Sequence, residues 1–281
     1  MTSSSSKNDL TFTLHYWPVI PGRGEFIRLA FECVQHPYKE NNKSATEAFP
    51  AHFAVPLLEI GNVPNLQDSA SSNKSQKTQE GQDAKSTSAN KSGQSVFISQ
   101  TAVILSYLAP ILGLDGVNSL QEQDPQSIAI RQAQVLQLTA TALDLNNEVH
   151  DTHHPVASSE VYEDQKDEAA RRTADFRKNR LPKFFTHFQT ALQNNPANSG
   201  WLIGKEVTIA DLTLYQVLDG LHFAFPKRIA ALKKQGEYED LFKLHQKVAQ
   251  LPNIAKYLDS DRRKAYSNGV FRHYPELDGD D

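Results

Sequence analysis

The sequence predicts an α/β domain at residues 10–115 followed by an all-α domain at residues 120–281. Three observations predict it. Strand and helix periodicities alternate up to about residue 110 in the order strand, helix, strand, then strand, strand, helix. From about residue 120 onward apolar residues recur at steps of three and four, the spacing of helices. And 281 residues are ample for two such cores.

The first domain opens on residues 11–17. Phe12, Leu14 and Tyr16 share one face and Thr11, Thr13 and His15 the other, so the segment is a half-buried strand. The loop WPVIPGRGE follows, with two prolines and two glycines. Phe26, Leu29, Ala30, Cys33 and Val34 then set a helix over about 23–35. Short strands are expected at 37–41, at the apolar run AVPLLEI (54–60) and at 96–98. A helix over 100–109 should close at Pro110. Between the second pair of strands, residues 70–95 contain no Val, Ile, Leu, Met, Phe, Tyr or Trp. Such a stretch cannot bury enough surface to offset ordering at roughly 1–2 kcal/mol per residue, so it reads as a disordered surface loop over about 66–95.

In the second domain Val135, Leu138, Ala142, Leu145 and Val149 give one long helix running toward Pro155, and Leu181, Phe184, Phe185, Phe188 and Leu192 give another. A nearly all-apolar stretch at 208–223 reads as a buried central helix. Leu241, Leu244, Val248 and Leu251 mark a further helix, and residues 253–258 a short last one. Thr208 is a suitable N-cap, and Asp211 can reach back to its amide in a capping box flanked by Val207 and Leu212.

Composition excludes several function classes. Lys and Arg number 29 against 33 Asp and Glu, so no basic excess points to nucleic acid. No apolar run reaches the roughly 18–20 residues that span a bilayer. The N-terminal MTSSSSKNDL lacks the basic and apolar regions of a signal peptide. The single cysteine, Cys33, cannot form an internal disulfide and excludes a cysteine-only zinc site. A reducing, cytoplasmic setting is expected, and Cys33 itself reads as core. His150, His153 and His154 lie one turn apart and admit three readings: metal ligands, lining of a substrate site, or capping of the helix C-terminus.

Four motifs in order then carry a resemblance: LHYWPVIPGRGEFIRLAF, AVPLLEI, SQTAVILSYLA and WLIGKEVTIADLTLYQVL, with the tail LPNIAKYL behind them. They resemble the cytosolic glutathione transferase superfamily, tyrosine type, nearest to its sigma, pi and mu classes. The resemblance implies a thioredoxin-like N-terminal domain that binds glutathione and a helical-bundle C-terminal domain that binds a small hydrophobic electrophile. It implies catalysis through Tyr16 and Arg23. It implies glutathione held by Val55 beside a cis-Pro56, by Gln100 and Thr101 at a helix start, by Lys43, and by Asp144 reaching across a homodimer. Val19, His150 and His154 would line the electrophile pocket. Glutathione is the co-substrate, with no metal, nucleic acid or membrane partner. A glutathione-dependent isomerase and a non-catalytic binding or regulatory protein share the same fold and remain alternatives.

The chemistry explains the residue types. A free thiol titrates near about 8.5 and a phenol near about 10, so at neutral pH a protonated tyrosine can donate to a thiolate and favour it. A permanent guanidinium nearby adds to the effect. On position alone, Tyr16 reads equally as a packing side chain, and Arg23 as a partner of Glu25. The loop PVIPG is one residue longer than the family's usual turn, which bears on the reach of Arg23.

Overall fold

The computed structural model describes residues 10–42, 50–63 and 94–281. Lys43 and the insert up to residue 93 lie outside them. Four strands, β1 (Thr11–His15), β2 (Lys39–Asn41), β3 (Leu57–Val63) and β4 (Gln94–Ser99), form a mixed sheet in the order β2-β1-β3-β4. β1 runs parallel to β2 and antiparallel to β3, and β4 is antiparallel to β3. The period-2 pattern sets the register: Phe12 faces Ile60 and Leu14 faces Leu58, all four buried. The opposite face is less open than its pattern suggests. His15 is buried as well and meets Glu59 at 3.0 Å.

Two helices pack with this sheet, α1 (Gly24–Cys33) and α2 (Thr101–Leu112). Pro110 does not end α2: the helix runs two residues further, to Leu112, and Gly113, with a left-handed φ of 69°, closes it. The helical part comprises α3 (Pro125–Asp151), α4 (Lys166–Asp175), α5 (Leu181–Asn194), α6 (Ile209–Ala224), α7 (Pro226–Gln235), α8 (Glu239–Ala249) and α9 (Pro252–Leu258), with a π-helical segment, Phe176–Arg180, between α4 and α5. The apolar seam of α3 packs on α6, the central helix, and α6 also meets α1, α2, α7 and α8.

Asp211 accepts the Thr208 N–H, the Thr208 hydroxyl and the Leu202 N–H, each at 2.8 Å, and so ties the start of α6 to the preceding loop. After α9 the chain returns across the bundle without regular structure. Phe271 lies against Gly220 of α6, where any β-carbon would collide with its ring. The Tyr274 ring stacks on Tyr162 at 3.9 Å, and Asp278 caps α7 through the N–H groups of Lys227 and Arg228. Among the described residues no helix is long and apolar enough to cross a membrane.

Candidate functional site

Tyr16 follows β1 directly, and its amide donates to Asn41 O of the neighbouring β2 at 3.0 Å. Its ring lies against the turn that opens α1. A β-carbon on Gly24 would fall 2.7 Å from the ring, and one on Gly22, whose φ is +46°, within 2.8 Å of Cε1 and closer still to the hydroxyl. Both glycines are therefore required by close approach. The hydroxyl accepts the Arg23 N–H at 2.8 Å, and among the described residues nothing takes its own proton. Tyr16 is 8% exposed. Burial holds the phenol above its ordinary value, outweighing the Arg23 amide and the charges of Arg23 and Arg28 that pull it down. It is thus a neutral donor at physiological pH.

Five of the residues singled out in the sequence converge on one cavity of about 360 Å3: Arg23, Val55, Pro56, Gln100 and Thr101 line it, with Phe53, Ala54 and Asn147. The Val55–Pro56 bond is cis. Gln100 stands at the start of α2 with φ 72°, a strained conformation for a residue with a side chain, and no side chain caps the helix. The first amides of an α-helix have no intrahelical acceptor, and at α2 they stand at the positive end of the helix dipole. The Arg23 guanidinium crosses to Asn147 Oδ1 of α3 at 2.8 Å. Glu25, the alternative partner read from sequence, pairs with Arg28 and Arg263 instead.

Tyr16 itself lines a separate cavity of about 380 Å3, with Pro18, Glu40, Asn41, Asn42 and Lys264. Arg23 joins the two places: its backbone holds the Tyr16 oxygen and its side chain lines the first cavity. A larger cavity of about 620 Å3, between the end of α5 and α8, contains none of the candidate site residues named from the sequence.

The remaining candidates are distributed as follows. Asp144 is exposed on α3, one turn before Asn147. Val19 is exposed in the loop after Tyr16. His150, His153 and His154 do gather, with ring centroids 4.7–5.2 Å apart. His153 is 1% exposed and donates from Nε2 to Val270 O at 2.8 Å. Burial pushes it down to about 3. Burial also lowers His150 and His154, with His154 and Arg23 adding to the effect on His150, and Arg272 to the effect on His154. The three rings are thus neutral and packed, and among the described residues no group of three His, Cys, Asp or Glu side chains is arranged to hold a metal. Cys33 is partly buried against the core, and burial raises its thiol to about 11, far from a thiolate.

Asn147 and Arg28 were not legible as site residues. Asn147 shares the face of Asp144 at a spacing of three, a weak signal. Arg28 carries no signal in the sequence that marks it, and it is fully buried.

Residues 150–261 match the family model described as "Glutathione S-transferase, C-terminal domain". No curated protein matches the chain by sequence. Solved structures match its fold along most of its length. The sigma class GST of Fasciola hepatica is 15% identical with a TM-score of 0.61, covering 92% of this chain and 98% of that one. The prostaglandin synthase D of Nilaparvata lugens is 18% identical at 0.57, covering 89% and 98%. The Pi-class glutathione S-transferase of Onchocerca volvulus is 17% identical at 0.55, covering 89% and 92%. Residues 150–261 are thus similar to a glutathione S-transferase C-terminal domain, and the chain shares with these glutathione transferases a fold of a thioredoxin-like part followed by a helical part.

Proposed function

We propose that this protein is a glutathione transferase in which Tyr16 stabilises the glutathione thiolate for addition to a hydrophobic electrophile. One observation carries the proposal: residues from four distant stretches of sequence, Arg23, Val55–Pro56, Gln100–Thr101 and Asn147, meet in one cavity beside the turn that holds the Tyr16 oxygen. The Val55 backbone pairs with the cysteinyl part of the tripeptide in the manner of an added strand. The α2 amides and the Thr101 hydroxyl take the γ-glutamyl carboxylate. The phenol, protonated and with its oxygen already accepting an N–H, gives its proton's hydrogen bond to sulfur, and Arg23 adds positive charge. Sulfur loses its proton to solvent and attacks the electrophile.

In this reading residues 10–115 bind glutathione and residues 120–281 bind the electrophile, which Val19, His150 and His154 line. The neutral histidines give that side an apolar, weakly polarising wall. Lys43 holds the glycine end, Asp144 reaches the glutathione of a partner copy in a homodimer, and the protein works in the cytoplasm without a metal. Conjugation and isomerisation begin from the same thiolate, so an isomerase is a variant of this reading.

A second reading is a glutathione-binding protein without turnover. The observation that favours it is the burial of Tyr16 and its place in a different cavity from Val55 and Gln100. Retention on immobilised glutathione, with conjugation of an aromatic halide by wild type and Tyr16→Phe, separates the two. Transferase activity requires turnover in wild type that falls by about 10²-fold or more in Tyr16→Phe. Retention with no turnover in wild type assigns the binding role.

A further inference from the structure

The Tyr16 oxygen is held by a turn, and the turn is anchored by buried charge that leads into the C-terminal tail. Arg28, fully buried on α1, donates from Nη1 to Pro21 O and to Glu25 Oε2, each at 3.1 Å, and from Nε and Nη2 to Glu40 Oε2 of β2 at 3.1 and 2.9 Å. Pro21 begins the turn whose Arg23 amide meets Tyr16. The other oxygen of Glu25, also fully buried, is shared by Tyr257 Oη and Arg263 Nη1, each at 2.6 Å. Arg263 lies past α9. Its Nη1 also reaches Gln216 Oε1 at 2.9 Å, and its Nη2 reaches Asp219 Oδ2 at 2.8 Å, both acceptors on α6. Tyr266 and His245 complete the shell of Asp219.

We propose that Arg263 is a positioning residue for the transferase chemistry: through Glu25 and Arg28 it fixes the Pro21–Gly24 turn that aims the Tyr16 hydroxyl. This rests on the function proposed above. The physical argument is one of competing acceptors. Two guanidinium groups, Arg28 and Arg263, face three carboxylates, Glu25, Glu40 and Asp219. Without Arg263, Arg28 is the one remaining guanidinium for Glu25 and Glu40. Bonds to carboxylates are stronger than bonds to a neutral carbonyl, so Arg28 gives up Pro21 O first. The turn then loses its side-chain anchor, and the Arg23 N–H drifts from the Tyr16 oxygen. A shift of about 1 Å at a reacting group can cost on the order of 10²-fold in rate.

The test uses the full chain as wild type, Arg263→Gln, Arg263→Lys and Tyr257→Phe. Three quantities are read: the pH dependence of the ultraviolet absorbance of bound glutathione thiolate, kcat and KM for glutathione, and hydrogen exchange at the Arg23 amide. In Arg263→Gln, thiol ionisation should move toward that of free glutathione. At neutral pH kcat should fall about tenfold or more with a smaller change in KM, and the Arg23 amide should exchange faster. Arg263→Lys, which keeps the charge without the fork, should recover part of each loss. If Arg263→Gln does not fold, Tyr257→Phe decides, because it removes one donor from Glu25 and should move the same readouts in the same direction to a smaller extent. A lowered melting temperature with an unchanged pH profile and unchanged Arg23 exchange overturns the proposal. Wild type that binds no thiolate overturns the transferase reading instead, and the Arg23 exchange still decides whether Arg263 anchors the turn.

Discussion

At the scale of single residues, the candidate site turns on how closely backbone can approach the Tyr16 ring. Gly22 and Gly24 form that approach, and neither can carry a methyl group without displacing the ring. Gly24→Ala is therefore expected to push Tyr16 off its bond to the Arg23 amide. The cost in stability should be about 1–3 kcal/mol, as for other overpacked sites. The cost in kcat/KM should be larger, on the order of 10²-fold, because in the proposed mechanism a displaced donor no longer meets sulfur. Urea unfolding and steady-state kinetics on the same preparations separate the two effects. Equal activity in Gly24→Ala would mean that Tyr16 does not act from this position. The place of Tyr16 at the end of a strand, where the chain enters a loop, was legible in the sequence, and the structure has that order. Its environment was not: the turn that opens α1, through Gly22, the Arg23 amide and Gly24, decides where the ring lies, and spacing along one strand carries no information about it.

At the scale of elements, strongly periodic segments formed as the sequence indicates, because each buries a wide apolar face. The two helices without a sequence signal, α4 and α7, bury little. α4 sinks only Ala169 and Thr173, and α7 only Arg228, Ile229 and Leu232. With so few apolar positions no period can be counted, and packing against their neighbours sustains them. The start of α6 is the opposite case, where a local signal carries a tertiary tie. Asp211 satisfies the Thr208 amide, the Thr208 hydroxyl and the Leu202 amide, all in the interior. Asp211→Ala leaves three buried donors without an acceptor and should cost at least about 3 kcal/mol, seen as a shift in the urea midpoint. α2 offers a contrasting test. Gln100 holds a positive φ that favours glycine, so Gln100→Gly should leave stability unchanged or raise it by up to about 1 kcal/mol. The same change should weaken glutathione binding if the Gln100 side chain contacts the ligand, as isothermal titration would detect.

At the scale of the whole molecule, the parts meet through buried polar groups that no sequence pattern brings together. Glu25 and Arg263 are 238 positions apart and Arg23 and Asn147 are 124 apart, and each pair closes only in the fold. Buried bases also make stability depend on pH. His153 is held down to about 3 and His222 to about 4, in each case chiefly by burial. His153 faces Val270 O, His150, His154, Tyr274 and the positive Arg272, and among the described residues its Nδ1 has no partner to receive a proton's bond. His222 faces His245, Lys233, Phe242 and Asp219, and its Nε2 has no partner among the described residues either. Unfolded histidine takes a proton near about 6.5. Below that pH the unfolded chain binds protons that the folded chain refuses, so stability is complete above about 6.5 and falls as the solution is acidified. Asp211 acts with the opposite sign. Burial raises it to about 6 in the fold against about 3.9 unfolded, so below pH 6 the folded state gains a proton first and offsets one histidine. Taken by themselves, these two histidines against one aspartate leave a loss of about 1.4 kcal/mol per pH unit between roughly pH 6 and 4, and the lowered His150 and His154 add to it in the same direction. Denaturant titrations at pH 7, 6 and 5 should show that decline, and His153→Gln should flatten it. A stability that stays level down to pH 5 would mean that at least one of His153 and His222 takes a proton inside the protein, against the burial that holds both down.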